Sequence, residues 1–174
     1  MKKNLTEMKK IGIFYGSTTG NTETVARQIA ADLNVADQDI YDVSKTAPSA
    51  VGPYDVILMG CSTWGDGDMQ EDMHDFIDGL SAVDLSGKMG ALFGCGDESM
   101  TETFCNAVGE MYDKLSKTGL KYIGQFNSDG FEYDHSEAVR NGHAVGLMID
   151  NVNHPELTDA KISSWTDEIR QQIS

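Results

Sequence analysis

The chain reads as an α/β protein built on a five-stranded, doubly wound parallel sheet with helices on both faces, and three observations predict this. Residues 55–60 (Asp-Val-Ile-Leu-Met-Gly) and 89–93 (Met-Gly-Ala-Leu-Phe) are nearly continuous apolar runs, the form of central parallel strands covered on both faces. Strand-like and helix-like segments alternate along the whole length, which calls for right-handed crossovers between parallel neighbours. The 174 residues contain no internal repeat or low-complexity tract and suit one domain with a full-sized core.

The first strand is expected over residues 10–15, where Ile11, Ile13, Phe14 and Tyr15 supply the apolar run. A helix follows over about residues 22–34, with Val25, Ile29 and Leu33 on its apolar face. A second strand at 40–43 leads into a short helical connection near 45–51. The two apolar runs are the third and fourth strands, each followed by a loop and a helix. Phe104, Val108, Met111, Tyr112 and Leu115 recur at helical spacing, as do Ile162, Trp165, Ile169 and Ile173 in a final helix, and both stripes are read as core. The fifth strand begins at 122–124 and resumes at 144–149, interrupted by a polar insertion at about residues 127–143. Residues 10–174 are thus expected to form one domain, preceded by a loose tail, 1–9, in which Met8 is an alternative start.

Composition narrows the function. Lys and Arg number 13 against 28 Asp and Glu, a formal net charge of −15, which excludes a default affinity for nucleic acid or an anionic membrane and leaves basic partners. Three Cys, an odd number, suit reduced thiols better than a disulfide framework. The first ten residues carry four Lys but no apolar stretch, and no window is long enough to span a bilayer. A soluble, cytoplasmic protein is expected, with no metal site and no catalytic set of its own.

Ligands of doubly wound sheets bind beyond the carboxyl ends of the strands, so the loops after strands one, three and four, residues 16–22, 61–69 and 94–103, are expected to converge. The first contains Ser17, Thr18, Thr19, Gly20, Asn21 and Thr22, small hydroxyl and amide residues at a helix start, able to hold a phosphate through backbone N–H groups, hydroxyls and the helix dipole. It has no Lys or Arg, and the Gly-Lys-Ser/Thr signature of a nucleoside triphosphatase loop is missing. On this heptapeptide alone an ordinary capped turn accounts for the residues equally well. The second loop supplies Ser62, Thr63, Trp64, Gly65, Asp66 and Gly67, in which Trp64 can stack on a planar ring beside a hydroxyl.

These segments resemble a known family. Residues 13–22 (Ile-Phe-Tyr-Gly-Ser-Thr-Thr-Gly-Asn-Thr), 60–64 (Gly-Cys-Ser-Thr-Trp), 94–97 (Gly-Cys-Gly-Asp) and the interruption of the fifth strand by residues 128–142 are similar to long-chain flavodoxins. The resemblance covers residues 10–174, and the sheet order 2-1-3-4-5 is taken from it and not from the residues. It implies a non-covalently bound FMN that shuttles single electrons at low potential between larger redox enzymes, reductases and oxidoreductases, from a monomeric carrier. Ser17 to Thr22 would enclose the phosphate and Thr63 would lie along the ribityl chain. Trp64 would cover the inner flavin face, Gly65 and Asp66 would border N5, with Gly67 completing their turn, and Cys95, Gly96 and Asp97 would border the pyrimidine edge. Met100 stands where many members place a Tyr over the outer face. With such a site, the acidic runs at 66–78 and 97–102, otherwise a solvated face, become a docking field for basic partner surfaces.

Two other readings fit the same strand pattern. An NAD(P)H-dependent quinone or flavin reductase would need a nicotinamide pocket, and no cationic cluster suits a dinucleotide. A receiver-type signalling domain would need acidic residues at the end of the first strand, where hydroxyls stand instead.

Overall fold

The computed structural model describes residues 8–64 and 66–174; the expectations placed on residues 1–7 of the tail and on Gly65 lie outside the described residues. In chain order the elements are β1 (Ile11–Gly16), α1 (Asn21–Leu33), β2 (Ile40–Asp42), β3 (Val56–Trp64), β4 (Asp68–Met69), α2 (Glu71–Leu80) and β5 (Met89–Cys95). They continue with α3 (Asn106–Leu115), β6 (Lys121–Tyr122), β7 (Val139–Arg140), β8 (His143–Ala144), β9 (Leu147–Ile149) and α4 (Pro155–Ile173). Short 3-10 turns at Val43–Lys45 and Pro48–Val51 fill the expected helical connection.

The principal strands lie in the order β2-β1-β3-β5, all parallel, and the fifth position is shared by two pieces. β6 pairs with the start of β5 (Met89 with Lys121) and β9 with its end (Phe93 with Leu147, Cys95 with Ile149). The split has a backbone cause. Gly124 turns the chain out of the sheet at φ +76, its carbonyl accepting from Trp165 Nε1 at 2.8 Å. Gly146 lets it return, since a Cβ there would fall 2.2 Å from the Leu92 carbonyl oxygen. Between them the insertion carries the β7–β8 hairpin, whose Asn141-Gly142 turn has both φ values positive, 54 and 79, the requirement of a type I′ turn.

Successive strand residues point to opposite faces, and each face has its own core. Ile13, Leu58 and Phe93 pack with Val25 and Ile29 of α1 and with Ile162, Trp165 and Ile169 of α4. Phe14, Ile57 and Met59 pack with Met73 and Ile77 of α2 and with Val108 and Met111 of α3. Phe104 departs from expectation: it precedes α3, because Cys105 at the cap adopts a left-handed conformation at φ 53. Phe104 thereby faces the insertion, its ring 5.2 Å from Phe131 and 5.1 Å from Tyr133 between centroids.

Gly146→Ala is expected to destabilise the protein by about 1–3 kcal/mol or more, because the obstacle is a backbone carbonyl in the neighbouring strand that no rotamer change can move. Urea unfolding of the variant beside its parent measures the difference.

Candidate functional site

The turn from β1 into α1 has no side chain on its helix cap. Gly20 occupies the cap position at φ 93, so the first-turn N–H groups of Asn21, Thr22 and Glu23 have no helix carbonyl to bond. Gly20 N–H itself donates to Ser17 Oγ at 3.1 Å, and Thr18, Thr19 and Asn21 are exposed around the opening. Glu23 would repel an anion there, but Arg27 holds it at 3.1 Å one turn along the helix. Arg27 is thereby committed to Glu23, and the turn offers neutral donors. Thr22 differs from its neighbours: it is buried, and its hydroxyl shares a hydrogen bond of 2.8 Å with Ser62 Oγ, tying the first turn to the end of β3.

β3 runs on through Trp64, further than the expected strand, and folds back as a hairpin in which Trp64 pairs with Asp68 and Thr63 with Met69. Gly67 N–H closes the turn on the Trp64 carbonyl at 3.0 Å. The hairpin holds the Trp64 side chain at the rim, 41 % exposed, where burial cannot be its purpose. Thr63 Oγ1 accepts from Ala107 N–H at 3.1 Å, supplying the first turn of α3 with the acceptor that Cys105 at its cap does not provide.

After β5, Gly96 N–H donates to the Ile149 carbonyl at 2.8 Å, and the Asp97 carboxylate accepts from Ser99 N–H, Ser99 Oγ and Asn153 Nδ2. Those bonds, Ser99's foremost, hold its pKa below the ordinary carboxylate value. Beside it Asp150 is buried, accepting from the N–H groups of Glu98, Val152 and Asn153 and from Asn153 Nδ2, at 2.8–2.9 Å. This carboxylate joins the turn after β5 to the turn before α4.

Two clefts open at this rim. The first, about 530 Å³, is lined by Thr19 and Asn21, by Ser62, Thr63 and Trp64, by Cys95, Gly96 and Asp97, and by Asn151 and Val152. The second, about 490 Å³, shares Thr63, Trp64 and Asp97 and adds Met100, Thr103 and Cys105. Trp64 is a wall of both, with Met100 on the second. Ser17, Thr18, Gly20 and Thr22 stand in the same turn without lining either cleft. Asp66 lies in the hairpin turn, and Gly67 faces a separate hollow beside Asn106. Asn151 and Val152 escaped the sequence reading, although Asp150-Asn151-Val152-Asn153-His154-Pro155 is a strand-to-helix turn at the same end of the sheet and is signalled as such by its Asn, Asp and Pro. A roomier cleft bordered by Ile11, Leu33 and Ile173 lies at the other end of β1, where none of these turns reaches.

The chemistry available is that of binding. Burial pushes the Cys95 thiol up to about 12, a hydrogen bond with Thr22 offsetting part of the effect, and raises Cys61 and Cys105 as well, so all three stay neutral and lack the thiolate a nucleophile needs. Among the described residues no group of His, Cys, Asp and Glu is placed to hold a metal ion.

The Flavodoxin family model matches residues 13–165. The chain is 39% identical over 165 residues to a flavodoxin of Synechocystis, covering 94% of this chain and 97% of that one. It is 37% identical over 164 residues to Flavodoxin 1 of Escherichia coli K12, covering 93% of each. Its fold superposes on a flavodoxin of Fusobacterium nucleatum, crystallised with flavin mononucleotide, with a TM-score of 0.89 at 28% identity, covering 96% of this chain and all of that one.

The Thr22–Ser62 bond predicts a measurable coupling. In a cycle of Thr22→Val, Ser62→Ala and the double variant, each single change is expected to cost about 1–3 kcal/mol and the double change less than their sum. Denaturant unfolding without ligand reads the three values, and additive costs would mean that the hydroxyls do not support each other.

Proposed function

The chain belongs to the flavodoxin family, and we propose that the paired clefts at the carboxyl rim of the sheet are its FMN site. The protein is an FMN-based electron carrier that passes electrons to redox partner proteins, and not a stand-alone enzyme. The reductase alternative is not favoured. When bound, FMN supplies the one-electron chemistry; the protein supplies position and electrostatics.

The observation that carries the site assignment is the uncapped start of α1, ringed by hydroxyls and opening into a cleft walled by an exposed Trp. Unfilled N–H donors at a helix start, with no free cation beside them, fit a phosphomonoester. Ser17, Thr18, Thr19, Gly20 and Asn21 surround the phosphate, while Thr22 braces the turn from below through Ser62. Thr63 and Asn151 border the chain that links phosphate to ring. Trp64 and Met100 form the apolar walls of the second cleft, and Cys95, Gly96 and Asp97 take the polar edge. Asp66 and Gly67 keep the place in the hairpin turn that the resemblance gives them.

Asp66, Asp68, Glu71, Asp72 and Asp75 are all exposed along the hairpin and α2, next to the exposed side chains of Trp64 and Met100. An apolar centre beside a negative flank suits a partner with a basic docking surface. Asp97 on the cleft and the buried Asp150 beside it oppose further negative charge on a bound ring, which supports a low potential. A monomer in the cytoplasm, folded as one domain over 10–174, completes the reading. Three buried free thiols support the reducing compartment, and among the described residues no helix is long and apolar enough to cross a membrane.

The site is tested by ligand discrimination. Thr18→Val with Thr19→Val is expected to weaken FMN by about 1.5–3 kcal/mol for each hydroxyl that bonds the charged phosphate, and riboflavin hardly at all. Fluorescence titration of protein freed of cofactor measures both, and equal losses would remove these residues from the phosphate site.

The docking face is tested by salt and by charge. Electron transfer to a basic reductase should slow as ionic strength rises past about 0.1 M, where the screening length falls to about 10 Å. Reversing Asp68, Glu71 and Asp72 to Lys should slow it further while FMN stays bound. Stopped-flow rates unmoved by both treatments would place docking elsewhere.

A further inference from the structure

Glu98 lines neither cleft, yet three segments of chain meet on it. Its N–H donates to Asp150 Oδ2 at 2.9 Å. Its Oε2 accepts from Glu132 N–H of the insertion at 2.8 Å, and its Oε1 lies 2.5 Å from His154 Nε2 at the start of α4. The side chain is only 17% exposed, and a carboxylate so poorly hydrated needs such partners.

We infer that Glu98 is a positioning residue for the loop that carries Asp97 and Met100, gripping it from the insertion on one side and from His154 on the other. The inference rests on the FMN reading above. The loop has no helix or strand between β5 and α3, and its internal support is a series of turns, Met100 N–H to the Asp97 carbonyl, Thr103 N–H to that of Met100, Asn106 N–H to that of Thr103, with the two Ser99 bonds to the Asp97 carboxylate. The insertion covers its back. Asp134 and His135 N–H both donate to the Thr101 carbonyl at 2.8 Å, and Ser136 Oγ donates to the Phe104 carbonyl. Glu98 joins both this outer covering and the start of α4 to the loop itself, so the distance of Met100 from Trp64 is set from outside the sheet.

His154 gives the grip a pH dependence. Nδ1 lies 3.1 Å from Glu156 Oε1 while Nε2 faces Glu98. A neutral imidazole has one N–H and would turn a lone pair on one of the carboxylates, whereas the imidazolium donates to both. Glu98 and Glu156 act on the ring directly, Asp97 and Asp150 are reached through Asn153, and Lys161 of α4, with Asp129 of the insertion acting on it, stands beyond Phe131. Of these Lys161 is the one cation, lying 4.8 Å over the Phe131 ring that meets His154 edge-on. The Glu156 and Glu98 carboxylates accordingly raise the His154 pKa. A raised folded-state pKa means that the grip is complete at lower pH and weakens as pH rises through that value, above the ordinary His range. Glu156, 63% exposed, can pass to water, so the neutral ring keeps Nε2–H for Glu98 and the loss is graded.

Riboflavin and FMN affinities of the full-length parent, Glu98→Ala, Glu98→Gln and His154→Gln, at about pH 6.5 and about pH 9, test this, with riboflavin removing the phosphate's own titration. The parent should bind both about two- to fivefold more weakly at the higher pH. Glu98→Ala should weaken both by at least about tenfold at the lower pH, lose the pH step, and lose amide-exchange protection over residues 97–105 of the cofactor-free protein. Glu98→Gln, which keeps an acceptor for Glu132 N–H, should recover most of the affinity and protection without the pH step, and His154→Gln should lose the step alone. Glu98→Ala that binds both flavins as the parent does, with unchanged protection, overturns the inference. A parent that binds neither flavin overturns the FMN reading instead, and the protection factors then decide whether Glu98 holds the loop.

Discussion

A parallel sheet covered on both faces satisfies its backbone along the strands and leaves polar groups unmet only where the strands stop. In this protein that constraint concentrates chemistry at one rim. β1, β3, β5 and β9 all end there, and α1, α3 and α4 all begin there, so donors at helix starts and the positive ends of their dipoles share one neighbourhood. Each start is completed in its own way. α3 borrows Thr63 from β3, and the turn before α4 closes on Asp150. The start of α1 has no side-chain cap, which leaves its donors for the ligand proposed above. The Thr22–Ser62 bond and the buried Asp150 carboxylate hold the three arrangements in register.

How much of this could be read from the residues follows from the range of the interactions involved. The apolar runs of β3 and β5 announce buried strands because covering both faces leaves no position for a polar residue, and the core assignments of Val25, Ile29, Ile162 and Trp165 hold because each helix buries one face at helical spacing. The hydroxyl turn was legible because a helix start is a local feature. Long-range partners were not. Nothing around Phe104 marks it as a partner for Phe131 and Tyr133, some thirty positions on, and helical spacing alone placed it in α3. The β3–β4 hairpin escaped because Asp68-Met69 is too short to carry a strand pattern. Asn151 and Val152 entered the cleft through the register of β9 on the end of β5, which the split fifth strand conceals. Glu98 looked like one more surface acid, and only its three partners distinguish it.

The electrostatics of the rim are lopsided in a way that joins the fold to electron transfer. Arg27 is spent on Glu23 and Lys114 on Asp78, and Lys161 lies over Phe131 on the far side of the insertion. An anion held at α1 as proposed would therefore meet dipoles and hydroxyls, with these three cations engaged elsewhere. Such donors suit a phosphate whose charge never changes. They would give little help to charge that arrives later on a ring held, as proposed, between Trp64 and Met100 near Asp97.

The magnitude of that opposition decides what kind of carrier results. Two unit charges about 10 Å apart interact by about 1.7 kcal/mol at an effective dielectric of 20, so several carboxylates around one ring sum to an effect as large as any single hydrogen bond at the site. The acids on α2 are exposed and largely screened by salt, whereas Asp150 is buried and Asp97 partly so, and these two act where screening is weakest. With the docking face and site proposed above, the exposed acids would govern the approach of a basic partner, and the sheltered pair would govern how reluctantly negative charge is accepted. Because Asn153 donates to both sheltered carboxylates and neighbours His154, the electrostatics of the ring pocket and the mechanical grip on its loop depend on the same short turn before α4.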